Sequence, residues 1–467
     1  MTDLARTSAA DLVAGYRSGE LSPVDATRAA LDAIADHDAD VNAFVLVDEE
    51  AAMAAARRSE DRWRSGRALG PADGVPTSVK DIFLTAGWPT LRGTHLIDPD
   101  QEWPDDAPAV ARLRESGAVL LGKTTTPEFA WKGVTDSLRH GATGNPWDPR
   151  LTAGGSSGGS AAAVGLGMGT WSIGTDGGGS VRIPASFTGT VALKPTYGQV
   201  PLWPASPFGT LAHAGPMTRS VLDAALLLDV ITRFDARDWS ALATPTGSFL
   251  DGLDDGVAGL RLAYSSTLGF GVNDPEVEAL VLASVTVLAD AGAVVEEVDP
   301  GFEDPVEAFH VLWFAGAAKV LEPYGSAALE RIDPGLRSAA EQGAALTASD
   351  YLDATAVRMD LGLRMARFHE KYDLLLTPTM PITAFPVGQA APDGWRSEWW
   401  TSWTPYTYPF NMTQQPALSL PCGFTGAGLP VGLQVVGPRH ADRLLLRAGR
   451  AYEQATDWAS VVPTPHT

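Results

Sequence analysis

Between Arg150 and Asp176 the chain carries no charged residue, and eight of the intervening positions are glycine. Serine and threonine are interspersed among them, so the stretch lacks the apolar continuity of a membrane-spanning helix. It runs on into Gly177-Gly178-Gly179-Ser180. Over Ala153 to Pro201, glycine-serine turns alternate with a small-residue helical pattern and short strands. A flexible linker is not interrupted in this way, nor anchored by an acid and a base such as Asp176 and Arg182. Beside a reacting hydroxyl, glycines let backbone N–H groups approach a developing oxyanion and tolerate dihedrals that other residues resist. The segment therefore predicts an ordered, shaped loop held by a larger framework.

Length and charge narrow what that framework can be. The 467 residues permit a large core, and 45% hydrophobic with 19% charged residues is ordinary globular composition. With 34 Lys+Arg against 56 Asp+Glu, the net charge of −22 disfavours a phosphate-backbone or anionic-membrane partner. The single cysteine, Cys422, excludes an internal disulfide and any cysteine-based metal site within one chain. Residues 1–20 hold Asp3, Asp11 and Glu20 with no apolar core, so no secretory signal is expected and a cytoplasmic protein is the default.

Periodicity predicts an α/β protein. Ser22-Pro23-Val24-Asp25 supplies a serine cap, a proline at the first helical position and an acid at the third, opening a helix. A second Ala-rich helix covers about residues 49–63. From Gly74 to about Pro201 the texture is short strands and turns, and residues 217–232 return to a helical pattern. Strands at 259–264 and 293–298 flank a helix at 274–291, a β-α-β rhythm that favours parallel pairing. Further helices are expected at 305–321, 348–371 and 440–455, with a buried strand at 374–378. No linker divides the chain. We expect one domain over 1–467, with N-terminal helices in 1–70, the chemistry-bearing motifs in 74–201 and a possible smaller subregion at 235–330.

Two short patterns suggest chemistry and fail on context. Gly117-Ala118-Val119-Leu120-Leu121-Gly122-Lys123-Thr124 fits the phosphate-loop pattern GxxxxGKT. Its four intervening residues read as the strand itself rather than a loop after one, which leaves nucleotide binding a remote alternative. Gly154-Gly155-Ser156-Ser157-Gly158 fits GxSxG, but turn-like residues precede it where a nucleophile elbow needs an apolar strand. No histidine pair has metal-ligand spacing, so neither a metal nor a cofactor is expected.

Taken in order, the remaining motifs resemble those of the amidase signature family of serine hydrolases. Gly74-Val75-Pro76 through Val79-Lys80-Asp81 is similar to its GVPxxxKD. Gly117-Ala118 to Gly122-Lys123-Thr124 followed by Glu128-Phe129-Ala130 is similar to GAxxxGKTxxxEFA. Asn145-Pro146-Trp147, the glycine-serine segment, Gly215-Pro216-Met217 and Leu429-Pro430-Val431-Gly432-Leu433-Gln434 complete the series. The similarity spans about residues 10–455.

The resemblance implies a large central mixed β-sheet flanked by helices on both faces. It also implies a triad of Lys80 as base, Ser156 as bridging serine after a cis Gly155–Ser156 peptide, and Ser180 as nucleophile. Gly177, Gly178, Gly179 and Ser180 would offer N–H groups to the oxyanion, while Asp176 and Arg182 would brace the loop. Seven aromatics crowd residues 395–410, which could form a packed core, a subunit interface or a substrate wall. By position in the family, Trp131, Trp399, Trp400 and Trp403 are expected near substrate, favouring apolar or aryl amides, with carbamates and esters as extensions. The alternative is the glutamine-hydrolysing component of a tRNA-dependent amidotransferase, although Trp399-Trp400-Thr401-Ser402-Trp403 stands where that component has an acidic segment. Many relatives carry asparagine where this chain has Thr125. A small-molecule amide is the expected partner, for a monomer or homodimer without nucleic acid or membrane.

Overall fold

In the computed structural model, which describes residues 3–463, eleven strands form one mixed sheet. From one edge the order is Phe44–Val47, Val119–Thr124, Pro76–Lys80, Trp171–Asp176, His213–Thr218 and Val191–Lys194. It continues with Ala417–Phe424, Pro430–Val436, Leu374–Pro378, Arg261–Tyr264 and Val294–Glu297. Pro76–Lys80 runs parallel to both its neighbours, and the last three strands are mutually parallel, with antiparallel pairing in the middle. Residues 235–330 contribute two strands to one end of this same sheet.

Both faces of the sheet are covered, and the strands show it residue by residue. Leu374 and Leu376 join one hydrophobic cluster while Leu375 between them joins the other; Leu262 and Ala263, and Val435 and Val436, divide in the same way. Successive strand side chains point to opposite faces, so such runs must be apolar throughout to bury both. On the first face lie helices Ala9–Ser18, Pro108–Glu115, Val221–Ile231, Pro275–Asp290 and Asp442–Gln454. On the second lie Arg182–Thr188, Val306–Leu321, Pro334–Ala344 and Ala348–Phe368. Among the described residues, no helix is long and apolar enough to cross a membrane.

Local signals explain most boundaries. Ser22 accepts a hydrogen bond from the Val24 N–H with Pro23 at the helix start, as expected. Met217 and Thr218, expected in a helix, instead end a strand: Met217 pairs with Ser172 and Ala192 in the sheet. The helix begins at Val221 behind a Ser220 cap. Periodicity does not anticipate Pro334–Ala344, although Asp333 caps it through the Gly335 and Leu336 N–H groups and proline opens it.

Candidate active site

The parallel strands Pro76–Lys80 and Trp171–Asp176 end at the same edge of the sheet, the end where open α/β sheets carry their sites. Lys80, the last residue of the first, is fully buried. Its Nζ lies 2.7 Å from Ser156 Oγ, 2.9 Å from Ser157 Oγ and 2.8 Å from Thr175 Oγ1. All three partners are uncharged hydroxyls. Burial pushes the amine well below the ordinary lysine range, opposed only by the charge of Asp176. An uncharged amine has two N–H donors and one lone pair, so one of the three hydroxyls must donate to it. Ser157 sends its hydrogen to the Thr175 carbonyl at 3.1 Å. In the uncharged form of Lys80 that donor would be Ser156 or Thr175. The Gly155–Ser156 peptide is cis.

After Asp176 the strand gives way to the triple glycine. A Cβ on Gly177 would sit 2.8 Å from the Trp313 ring, and one on Gly178 would sit 2.5 Å from that of Trp400. Gly179, at φ +133°, would meet Thr407. The loop is thus pressed between aromatic rings that leave no room for side chains. Asp176 holds its shape: the carboxylate accepts from the Gly179 N–H (2.8 Å), Arg182 Nε and NH2 (both 2.9 Å) and Asn411 Nδ2 (2.8 Å). Burial alone would raise the Asp176 carboxyl, but Arg182, Lys194 and Asn411 overcome it and hold it well below the usual carboxylate range. Arg182, also fully buried, spends its remaining donors on Thr407, Asn411 and Gln434.

This network corrects one expectation. The Gly179 N–H is committed to Asp176 and is not free for an oxyanion. The N–H groups of Gly177, Gly178 and Ser180 have no acceptor among the described residues. Ser180 follows the loop and is almost buried, and its carbonyl accepts from the Ser157 N–H at 3.1 Å. Ser156, Thr175, Gly177 and Ser180 open on one pocket with about 120 Å³ of interior. That is near the size of an apolar cavity that takes benzene, ~150 Å³. Lys80 and Ser156 are in contact; no hydrogen bond joins Ser156 Oγ to Ser180 Oγ, although both line the same pocket.

The family model described as Amidase matches residues 25–446. The chain belongs to the amidase signature family. The acylamidase of Rhodococcus erythropolis is 36% identical over 98% of this chain and 97% of its own. The A component of the glutamyl-tRNA(Gln) amidotransferase of Myxococcus xanthus is 38% identical, covering 98% of both. The crystal structure of a bacterial aryl acylamidase of the same family superimposes with a TM-score of 0.90 at 30% identity, over 97% of each chain.

Within this amidase signature fold, several sequence motifs find structural posts. Gly122 and Lys123 lie inside the strand Val119–Thr124, where a Cβ on Gly122 would collide with the Leu46 carbonyl. Lys123 is fully buried, bound to the Phe83 carbonyl (2.9 Å), Thr90 Oγ1 (2.7 Å) and Asp81 (3.2 Å). The resemblance to a phosphate loop is therefore a coincidence of spacing.

The four expected substrate tryptophans lie elsewhere than the pocket wall. Trp403 is fully buried and stacks on Phe187 at 6.0 Å between ring centres. Trp400 backs the Gly178 face and meets Trp313 edge-on. Trp131 is buried, and its carbonyl accepts from Trp313 Nε1 at 2.9 Å. Trp399 meets Trp131 and Phe314 and borders a different surface depression. Trp131, Trp400 and Trp403 belong to the core of the second face, and half-buried Trp399 packs against it. The aromatic wall around Ser180 is built instead by Phe83, Phe129, Trp203, Phe208 and Trp313. Trp313 and Phe208 stack at 4.0 Å. They come from a helix and a loop that no motif marks, so sequence position alone had no signal for them.

Proposed function

We propose that this amidase hydrolyses carboxylic amides bearing an apolar or aromatic group through an acyl-enzyme on Ser180. The observation that carries this reading is Lys80, fully buried, partnered by hydroxyls alone and 2.7 Å from Ser156 in the pocket that also holds Ser180. Uncharged Lys80 takes the Ser156 proton as Ser156 takes that of Ser180, and Ser180 Oγ attacks the amide carbonyl. The free N–H groups of Gly177, Gly178 and Ser180 face the oxyanion, a term worth about 3–4 kcal/mol per donor. The same proton returns through Ser156 to the leaving amine, and water then releases the acid.

Aromatic walls support an apolar or aryl substrate, with anilides foremost and carbamates and esters as chemical extensions. The test is a covalent serine probe together with a chromogenic anilide. Wild type should be labelled at Ser180 and turn over the anilide; Ser180→Ala should lose both. Turnover that persists in Ser180→Ala would sink the mechanism. The likeness to the amidotransferase component supports a second reading, glutamine hydrolysis, whose mark would be glutaminase activity that requires a partner protein.

A further inference from the structure

The pocket around Ser180 is walled mainly by apolar and aromatic side chains, with one conspicuous exception. Arg92 lines it, and the buried Nε of Arg92 has no hydrogen-bond partner. Among the described residues no carboxylate forms an ion pair with this guanidinium. Asp81 and Tyr324 act on it only through space. Asp81 turns its Oδ1 to Lys123 at 3.2 Å and to the Leu91 N–H at 3.3 Å, and its Oδ2, which has no hydrogen-bond partner, does not bond to the guanidinium. The contrast with Arg182 is sharp, since that guanidinium is satisfied by Asp176, Thr407, Asn411 and Gln434. Arg92 thus has a carboxylate within electrostatic reach but no ion-pair partner, and it lines the pocket.

The backbone holds Arg92 there against its own preference. Arg92 (φ 53°), Phe129 (φ 49°) and Ala130 (φ 59°) are in the left-handed region, and all three line this pocket. For non-glycine residues that conformation costs free energy and persists only where the surroundings impose it. The Phe129 N–H donates to the Arg92 carbonyl at 2.8 Å. Next door, a Cβ on Gly93 would lie 2.5 Å from the Thr126 carbonyl oxygen. The two segments are locked together, which fixes where the Arg92 side chain leaves the backbone beside the pocket.

We propose that Arg92 is a substrate-recognition residue and that the preferred substrates are amides whose apolar body also carries a carboxylate. This rests on the amidase reading above and names the substrate class within it. Guanidinium keeps its charge and presents a planar fork that matches a carboxylate bidentately. Burial pushes Arg92 downward from the ordinary arginine range, the mark of a desolvated cation that a bound anion would relieve. Apolar walls weaken solvent screening and strengthen the pairing, whereas a wholly neutral ligand would cover the cation and leave it unpaired.

Two series of anilides test this. In one, succinyl, glutaryl and adipyl mono-4-nitroanilides carry the carboxylate on the acyl side; in the other, acetylated aminobenzoates carry it on the amine side. Each is paired with a neutral analogue in which isopropyl replaces the carboxylate. Wild type should prefer the acid in at least one series. The acid-to-neutral ratio of kcat/KM should fall about 10- to 100-fold in Arg92→Met, mainly through KM, and recover in part in Arg92→Lys. No acid preference in wild type, or a preference that survives Arg92→Met, overturns the proposal. Should wild type hydrolyse no amide in either series, the amidase reading fails instead. Calorimetric binding of the same acids and analogues to Ser180→Ala, with and without Arg92→Lys, then decides Arg92 on affinity alone. Arg92→Lys serves both measurements if Arg92→Met does not fold.

Discussion

Lys80 and Lys123 occupy neighbouring parallel strands, with Lys80 opposite Thr124 and Lys123 opposite Val79. Both are fully buried, and burial lowers both amines from the ordinary lysine range. Their partners separate them. Lys123 has the Asp81 carboxylate at 3.2 Å, a carbonyl and a threonine, which together favour its charged form. Lys80 has three hydroxyls and no carboxylate in contact. Equal burial therefore leaves a carboxylate-paired lysine at one position and a lysine held by hydroxyls alone at the other. The difference is made by a single carboxylate, not by depth.

The widest separation should appear on truncating each lysine. Lys80→Met removes the base, and anilide kcat/KM should fall by about 10²- to 10⁴-fold while the fold, followed by circular dichroism, stays intact. A variant with near wild-type turnover would dissolve the distinction between the two lysines. Lys123→Met should do the opposite. It strands a buried Asp81, so urea unfolding should show a loss of about 3–5 kcal/mol, while the folded fraction keeps its turnover. If Asp81→Asn in that background restores stability, the cost is the orphaned charge.

The smallest effect is in pH. The native Lys80 amine sits well below its unfolded value of about 10.4. Between the two, the unfolded chain binds more protons than the native one, so stability rises with pH across that window. Lys123 and Lys194 are also lowered, so Lys80→Met should flatten the slope without removing it. At the lower edge of that window, where native Lys80 loses its proton, kcat/KM should climb, and Lys123→Met should leave that limb in place. An activity limb that moves with Lys123 instead would reverse the assignment.

Much of this was legible in the chain. The Gly177–Gly179 run announces close approach to the backbone, and the structure shows that rings make it, since no Cβ fits between the loop and Trp313 or Trp400. The apolar run Leu374–Leu376 announces a buried strand, and the structure adds that its side chains divide between the two faces. Local order also carries the positions of Lys80, Ser156 and Ser180, since each belongs to a motif whose spacing survives in one sequence. Aromatic placement was not legible. Trp400 and Trp403 lie in a short helical turn whose rings enter the second core, and composition cannot tell a core ring from a pocket ring. Nor could spacing show that the Gly179 N–H belongs to Asp176, a contact set by how the loop turns.

The sequence by itself determined the family, through the order of its motifs, and with it the candidates Lys80, Ser156 and Ser180, while apolar periodicity determined the buried strand at 374–378. Only the tertiary structure decided what each buried group touches. It gave Lys80 hydroxyls and Lys123 a carboxylate, closed Gly179 against Asp176, and left Arg92 in an aromatic pocket without an ion-pair partner. Those outcomes depend on residues far apart in the chain, and the energy of a buried charge is set by its neighbours in space.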